Sequence, residues 1–191
     1  WRIEPDTADK HDHLVLVTGA GHVLALNDAR RFGSVDLIDT PGLYEWPAFA
    51  ALGPEPLGED LTARHLAAAF KGRAAPVKPL LLDQRIVAGL GNIYVCEALF
   101  LAGISPTKPA GQIAAKKIAA LVDAVKAVLV QAIAAGGSSL RDFVHPDGQL
   151  GYFSHEWRVY GREGEPCRQC NSMVQRLVQG GRSTFFCHKC Q

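Results

Sequence analysis

The sequence predicts an α+β protein ordered as strands, then helices, then a small ribbon, and three observations carry that order. Apolar residues alternate with polar ones through the first third of the chain. From Leu61 they recur at helical spacing, and from Cys167 the chain holds two C-x2-C pairs. With 191 residues, 48% of them hydrophobic, there is enough chain for one large domain or two small ones around a real core.

Taken in order, "WRIEPD" has the look of a strand end. "HLVLVTGAGHVLALND" (His13 to Asp28) alternates around a Gly-Ala-Gly turn and predicts a β-hairpin. "RRFGSVDLID", residues 30–39, predicts a further strand. Residues 40–60, rich in Pro and Gly, predict a connector. Helices are expected in "LTARHLAAAFKG", in the short "PLLLDQ" and in "NIYVCEALFLAGI". A long amphipathic helix is expected from Gln112 to about Ala135, with Ile113, Ile118, Leu121, Val125, Val128 and Leu129 on one side. "GISPTKP" and "AAGGSS" punctuate helix ends. "GGSSLRDFVHPDGQLGYF" has little periodicity, and there are no internal repeats.

Charge is unevenly placed. The formal net charge is only +1, but residues 1–62 hold eleven acids against four bases, whereas 63–108 and 158–191 each hold six bases against two acids. A basic remainder beside an acidic start suits a protein that turns one face to a polyanion; solvated faces are the plain alternative. No apolar run approaches the length that spans a bilayer, and no signal peptide is visible, so the expectation is a soluble, intracellular chain.

Cys167 with Cys170, and Cys187 with Cys190, stand sixteen residues apart as pairs. A thiolate pair at this spacing bends round one tetrahedral ion, and two pairs close a four-sulfur zinc site with no position left for substrate. The metal is therefore expected to be structural. Disulfides are the alternative, but Cys96 sits alone in an apolar helical stretch. His188 is a spare ligand that four cysteines make unnecessary.

Gly89-Leu90-Gly91-Asn92 lies between two helical stretches. Asn92 suits the cap of a helix beginning at Ile93, and glycines before a helix N-terminus let a phosphate approach free N–H groups. Lys78, fourteen residues earlier, reaches for the same phosphates. No strand precedes these glycines, which excludes a dinucleotide fold. A plain helix-turn-helix packing motif remains open on these residues alone.

Several stretches together carry a resemblance: "NDARRFG", "LGPEPL", "KPLLLDQRIVAGLGNIYVCEALFLAGISP", "GGSSLRDFVHPDGQLGYF", "VYGREGEPC" and "GGRSTFFCHKC". In this order they make the chain similar to the formamidopyrimidine-DNA glycosylases, bacterial base-excision enzymes that remove oxidised purines. The resemblance implies the remainder of an N-terminal β-sandwich domain over 1–60. A helix-two-turn-helix domain over 61–153 would follow, with a lesion-capping loop at 137–153, and then a zinc-ribbon hairpin over 154–191. It implies one structural zinc, double-stranded DNA carrying an oxidised purine or abasic site as partner, a monomer, and a cytoplasmic setting at the nucleoid.

By the same resemblance Asn92 and Arg182 bind the phosphates flanking the damaged nucleotide, with Lys78 and Tyr160 as further backbone contacts. Pinching the backbone supports extrusion of the base, which otherwise costs a few kcal/mol. Arg30 reads the opposite cytosine and Phe32 unstacks the neighbouring pair as an apolar wedge. Without the family, Phe32 reads as a core residue at a strand end. The family commonly has proline where this chain has Ala29, so a looser turn is expected there. Ser138 and Ser139 donate hydrogen bonds to the flipped base; their segment alone reads equally as a lid or a disordered loop. Glu97 is expected to be structural, or to serve a helix dipole, and not to be catalytic.

The family's chemistry starts at an N-terminal proline followed by glutamate, whose amine attacks the sugar C1′, forms a Schiff base and leads to β,δ-elimination. No residue here matches it, and Pro5 is internal. The expectation is a longer polypeptide that supplies this segment, because a sandwich cut at Trp1 exposes sheet edges and half its core. A shortened relative without catalytic residues is the alternative. This chain alone is expected to bind damaged duplex weakly at best and not to cleave it. Three rivals remain. The endonuclease VIII branch prefers oxidised pyrimidines but builds its wedge differently. A non-catalytic duplex-binding module predicts equal affinity for damaged and intact DNA. A ribbon for protein–protein contact sits poorly with Arg182 and the basic tail.

Overall fold

The computed structural model describes residues 1–137 and 156–191, and the architecture is α+β. Strands β1 (Arg2–Ile3), β2 (Asp12–Val17) and β3 (Val23–Asn27) form an antiparallel sheet in the order β1-β3-β2. The predicted hairpin is β2–β3, with Leu16 opposite Leu24 and Val15 opposite Ala25. Ala25 is buried, whereas Ile3, Val15, Leu16 and Val17 are exposed.

The strand expected over residues 30–39 is absent. Asp28 accepts hydrogen bonds from the main-chain N–H of Arg30, Arg31 and Gly33, and Arg31 takes a left-handed φ of 54°. A chain curled round a carboxylate cannot extend into a ladder. Val35 and Leu37, the residues that suggested a strand, are exposed. The connector contains a 3₁₀ turn (Thr40–Glu45) and the one-turn helix α1 (Pro47–Ala50). Beyond it, Gly53 makes a close approach: a Cβ there would stand 2.7 Å from the main chain of Arg85 and Ile86, and its N–H donates to Gln84 O at 2.8 Å. Only glycine lets the connector lie flat on that turn.

The helices fall where the periodicity places them. Helix α2 (Ala63–Phe70) starts at Thr62, whose hydroxyl accepts the His65 N–H at 3.1 Å, and it buries Leu66 and Phe70. After α3 (Val77–Leu81), two turns lead into α4 (Asn92–Ala102), which is apolar almost all round and buries Val95 through Phe100. Helix α5 (Ala115–Ala134) lies on α4 and α2. Ile118, Leu121, Val125, Val128 and Leu129 are buried along it and Ile113 just before it, as the amphipathic stripe requires.

The C-terminal ribbon pairs β4 (Gln175–Gln179) with β5 (Arg182–Phe186). A small second core seats it on α4: Cys96 and Phe100 from the helix meet Val159, Val174, Cys167 and Cys187. The lone cysteine is thus a packing residue between helix and ribbon.

Candidate nucleic-acid interface

The ribbon hairpin turns on two residues. Gln179 faces Arg182, which leaves Gly180 and Gly181 as the turn at φ 56° and 74°. Two consecutive positive φ values match the twist of a tight hairpin and favour glycine at both positions. The consequence is an exposed Arg182 at the tip, fixed by the strand behind it.

The next residue joins this tip to the helices. The Ser183 carbonyl accepts from Asn92 Nδ2 at 3.0 Å and from Lys78 Nζ at 3.3 Å. Asn92 is therefore not the helix cap that the sequence suggested: the helix starts at Asn92 itself, Gly91 occupies the cap, and no side chain closes the end. The side chain turns instead toward the ribbon, with a longer contact to Tyr160 Oη at 3.4 Å and its Oδ1 buried without a partner. Lys78, expected as a further backbone contact, is fully buried under Ser183. Burial pulls its ammonium below the usual lysine range; Cys96 opposes that fall and the charge of Arg182 adds to it. An uncapped helix N-terminus, a buried ammonium and an exposed arginine meet at one carbonyl, and such a place favours a phosphate.

Tyr160 completes the cluster. Its ring stands edge-on to Trp157 and to Phe185, each at 5.0 Å between centroids. The main chain here is held by Glu97, which is fully buried on α4. Its carboxylate accepts the N–H groups of Arg158, Val159 and Tyr160 at 2.9–3.0 Å, with the Arg158 guanidinium 3.7 Å away. A carboxylate spent on three main-chain donors is structural, as expected, and it does so by holding a neighbouring segment and not by serving its own helix dipole. Ser183, Trp157 and Phe185 were not singled out from the sequence. A carbonyl leaves no sequence signature, whereas the alternation of β5 puts Ser183 and Phe185 on one face and was a usable signal.

Behind the tip, one sulfur each from Cys167, Cys170, Cys187 and Cys190 lies within 4.8 Å of all the others. Two of the separations are 3.9 Å (Cys167–Cys190) and 3.4 Å (Cys170–Cys187). Four sulfurs on one tetrahedral zinc stand about 3.8 Å apart, so the set fits. Hydrogen bonds from Ser172 bring Cys170 down to about 6, while burial and then the neighbouring sulfurs push Cys190 up to about 12. A dication resolves that conflict. His188 lies outside the set.

Across the connector, Phe32 is 80% exposed, and the Arg30 guanidinium lies 4.9 Å from its ring centroid. A core role for Phe32 is excluded. In the turn that holds Ala29, Asp28 accepts three main-chain bonds. Gly33 first, then Arg30 and Arg31, hold the Asp28 carboxyl below the usual carboxylate range. Ser138 and Ser139 lie outside the described residues.

Comparison with known proteins decides the family. The model of the formamidopyrimidine-DNA glycosylase H2TH domain matches residues 52–144, and that of the zinc finger found in FPG and IleRS matches 164–191. The formamidopyrimidine-DNA glycosylase of Novosphingobium aromaticivorans is 68% identical over 191 residues, all of this chain and 70% of that protein. The chain belongs to the formamidopyrimidine-DNA glycosylase family. The relative from Rhizorhabdus wittichii is 62% identical over the same span. Among solved structures, the Thermus thermophilus MutM (Fpg) protein superposes with a TM-score of 0.89 at 41% identity, covering all of this chain and 71% of that one. The Lactococcus lactis Fpg bound to DNA with an abasic site gives 0.89 at 38%, covering all of this chain and 70% of that one. As in the family, the four cysteines hold a single structural zinc.

Changing Arg182 to Ala tests the tip directly. For an exposed arginine that meets one phosphate, the expected result is binding to any duplex weakened by roughly tenfold and a slope of log K against log salt lowered by about 1. Zinc content should stay at one per chain. Fluorescence anisotropy titrations at several salt concentrations read both quantities.

Proposed function

We propose that this protein carries out base-excision repair of oxidised purines, 8-oxoguanine and formamidopyrimidines, in duplex DNA. It would act as a bifunctional DNA glycosylase and abasic-site lyase whose Schiff base forms at an N-terminal proline, a residue that none of these 191 matches. The observation that carries the reading is the joint at Ser183, which sets exposed Arg182 beside the uncapped start of α4. Exposed Arg182 and the helix N-terminus grip adjoining phosphates, with the buried charge of Lys78 behind them, and that grip bends the strand so that the base leaves the stack. Phe32 enters the step left behind, and Arg30 above it reads the opposite cytosine. Ser138 and Ser139 hold the extruded base. Lys78 and Tyr160 serve the same backbone, with Lys78 acting from beneath Ser183. The zinc is closed to substrate and fixes the hairpin. The partner is double-stranded DNA, bound by one copy of the protein in the bacterial cytoplasm at the nucleoid. Among the described residues no helix is long and apolar enough to cross a membrane.

Base release and strand nicking test the proposal. The protein from its native start is expected to release 8-oxoguanine paired with cytosine in preference to dihydrouracil, while these 191 residues alone should nick neither duplex. Preferential release of dihydrouracil would move the protein to the endonuclease VIII branch. Nicking by the 191-residue chain would contradict the placement of its chemistry.

A further inference from the structure

We infer that Asp28 is the positioning residue that sets the reading geometry of Arg30 and Phe32, with Gly33 as its necessary counterpart. The inference rests on the proposed function and adds to it a residue that determines how the opposite base is discriminated. Asp28 is a hub between a rigid element and a projecting turn. On the rigid side, its main-chain N–H donates to His11 O at 2.9 Å just before β2, and its carbonyl lies 3.0 Å from Nε2 of His13 in β2. On the projecting side, Oδ1 accepts the N–H of Arg30 at 3.2 Å and of Arg31 at 2.9 Å, and Oδ2 accepts that of Gly33 at 2.6 Å.

Three donors on one carboxylate fix the main chain on both sides of Phe32. They also hold Arg31 at φ 54°, a conformation that a non-glycine residue adopts only at a cost. Phe32 has little packing of its own at 80% exposure. Its place over the gap, and that of the guanidinium 4.9 Å above it, therefore derive from the turn. The counterpart is steric. A Cβ on Gly33 would stand 3.0 Å from Asp28 Oδ2, so even alanine there presses on the oxygen that Gly33 itself satisfies. In this chain, with Ala29 in the turn, the carboxylate does the work that a rigid ring would otherwise share.

Opposite-base discrimination is the readout, measured on the protein from its native start. The ratio of kcat/KM for 8-oxoguanine opposite cytosine to that opposite adenine is compared in wild type, Asp28→Ala, Asp28→Asn, Gly33→Ala and Arg30→Ala, each checked for zinc content and thermal midpoint. The ratio should fall about tenfold in Asp28→Ala, the order of one misplaced base contact. Asp28→Asn keeps the Oδ1 bonds and loses the one to Gly33, so a fall of about threefold is expected, with Gly33→Ala alike. Adding Arg30→Ala to Asp28→Ala should produce no further fall, because both act on the same contact. If Asp28→Ala does not fold, Asp28→Asn and Gly33→Ala carry the test. Equal losses against both partners, with the ratio intact, would overturn the inference and leave Asp28 a stability residue. A wild-type protein that does not process 8-oxoguanine at all would instead overturn the proposed function.

Discussion

Replacing Cys187 by serine is expected to release the zinc and, with it, most of the DNA affinity. Cys187 is fully buried, one of its neighbours is the Cys170 sulfur at 3.4 Å, and the ribbon behind Arg182 has little else to fold around. Its apolar contribution is the small cluster of Cys96, Phe100, Val159 and Val174. Structural zinc supplies about 10–16 kcal/mol to comparable small sites, far more than such a cluster can replace. Zinc per chain should fall from one to near zero. Without a fixed hairpin neither Arg182 nor the Ser183 carbonyl keeps its place, so affinity for an abasic duplex should drop by roughly 10- to 100-fold, the loss of one or two charged contacts. His188 lies outside the sulfur cluster, and His188→Ala should retain the metal. Metal analysis beside binding titrations checks both variants.

Glu97→Ala is expected to be the most destabilising single substitution among the helices. It leaves three N–H groups of Arg158, Val159 and Tyr160 without their acceptor, and removes the carboxylate 3.7 Å from the Arg158 guanidinium, which keeps its bond to Gln131. Breaking a buried charged network of this kind costs about 3–5 kcal/mol. For a chain of this size the midpoint of thermal unfolding should fall by about 10 °C or more. Binding should suffer as well, because the freed segment carries Tyr160, whose ring bridges Trp157 and Phe185 and whose hydroxyl meets Asn92. Glu97→Gln keeps the shape and one acceptor oxygen, so it should fall between wild type and Glu97→Ala in both calorimetry and titration.

What the sequence made legible was whatever depends on local period or spacing. The hairpin from His13 to Asp28, helices α4 and α5 and the four-cysteine set are each written in neighbouring residues. What it hid depends on where side chains go after docking. Asn92 has the chemistry of a cap, but it meets Ser183, 91 residues on. Lys78 carries no sequence sign of burial, yet it lies fully buried under the same carbonyl, 105 residues away. Residues 30–39 carry β-branched and apolar types, yet one carboxylate at Asp28 redirects the chain before a strand can form. Exposure of Phe32 was legible only through the family resemblance, since an aromatic after a strand is as well suited to a core.

In the proposed function the joint at Ser183 and exposed Phe32 serve covalent excision of an oxidised purine. Borohydride trapping tests it most directly. The protein from its native start is mixed with duplexes carrying either 8-oxoguanine opposite cytosine or dihydrouracil, and borohydride is added to reduce any Schiff base. A covalent protein–DNA adduct is expected to form preferentially with 8-oxoguanine. No adduct with either lesion, from folded and zinc-loaded protein, would contradict it and leave a DNA-binding relative without the chemistry.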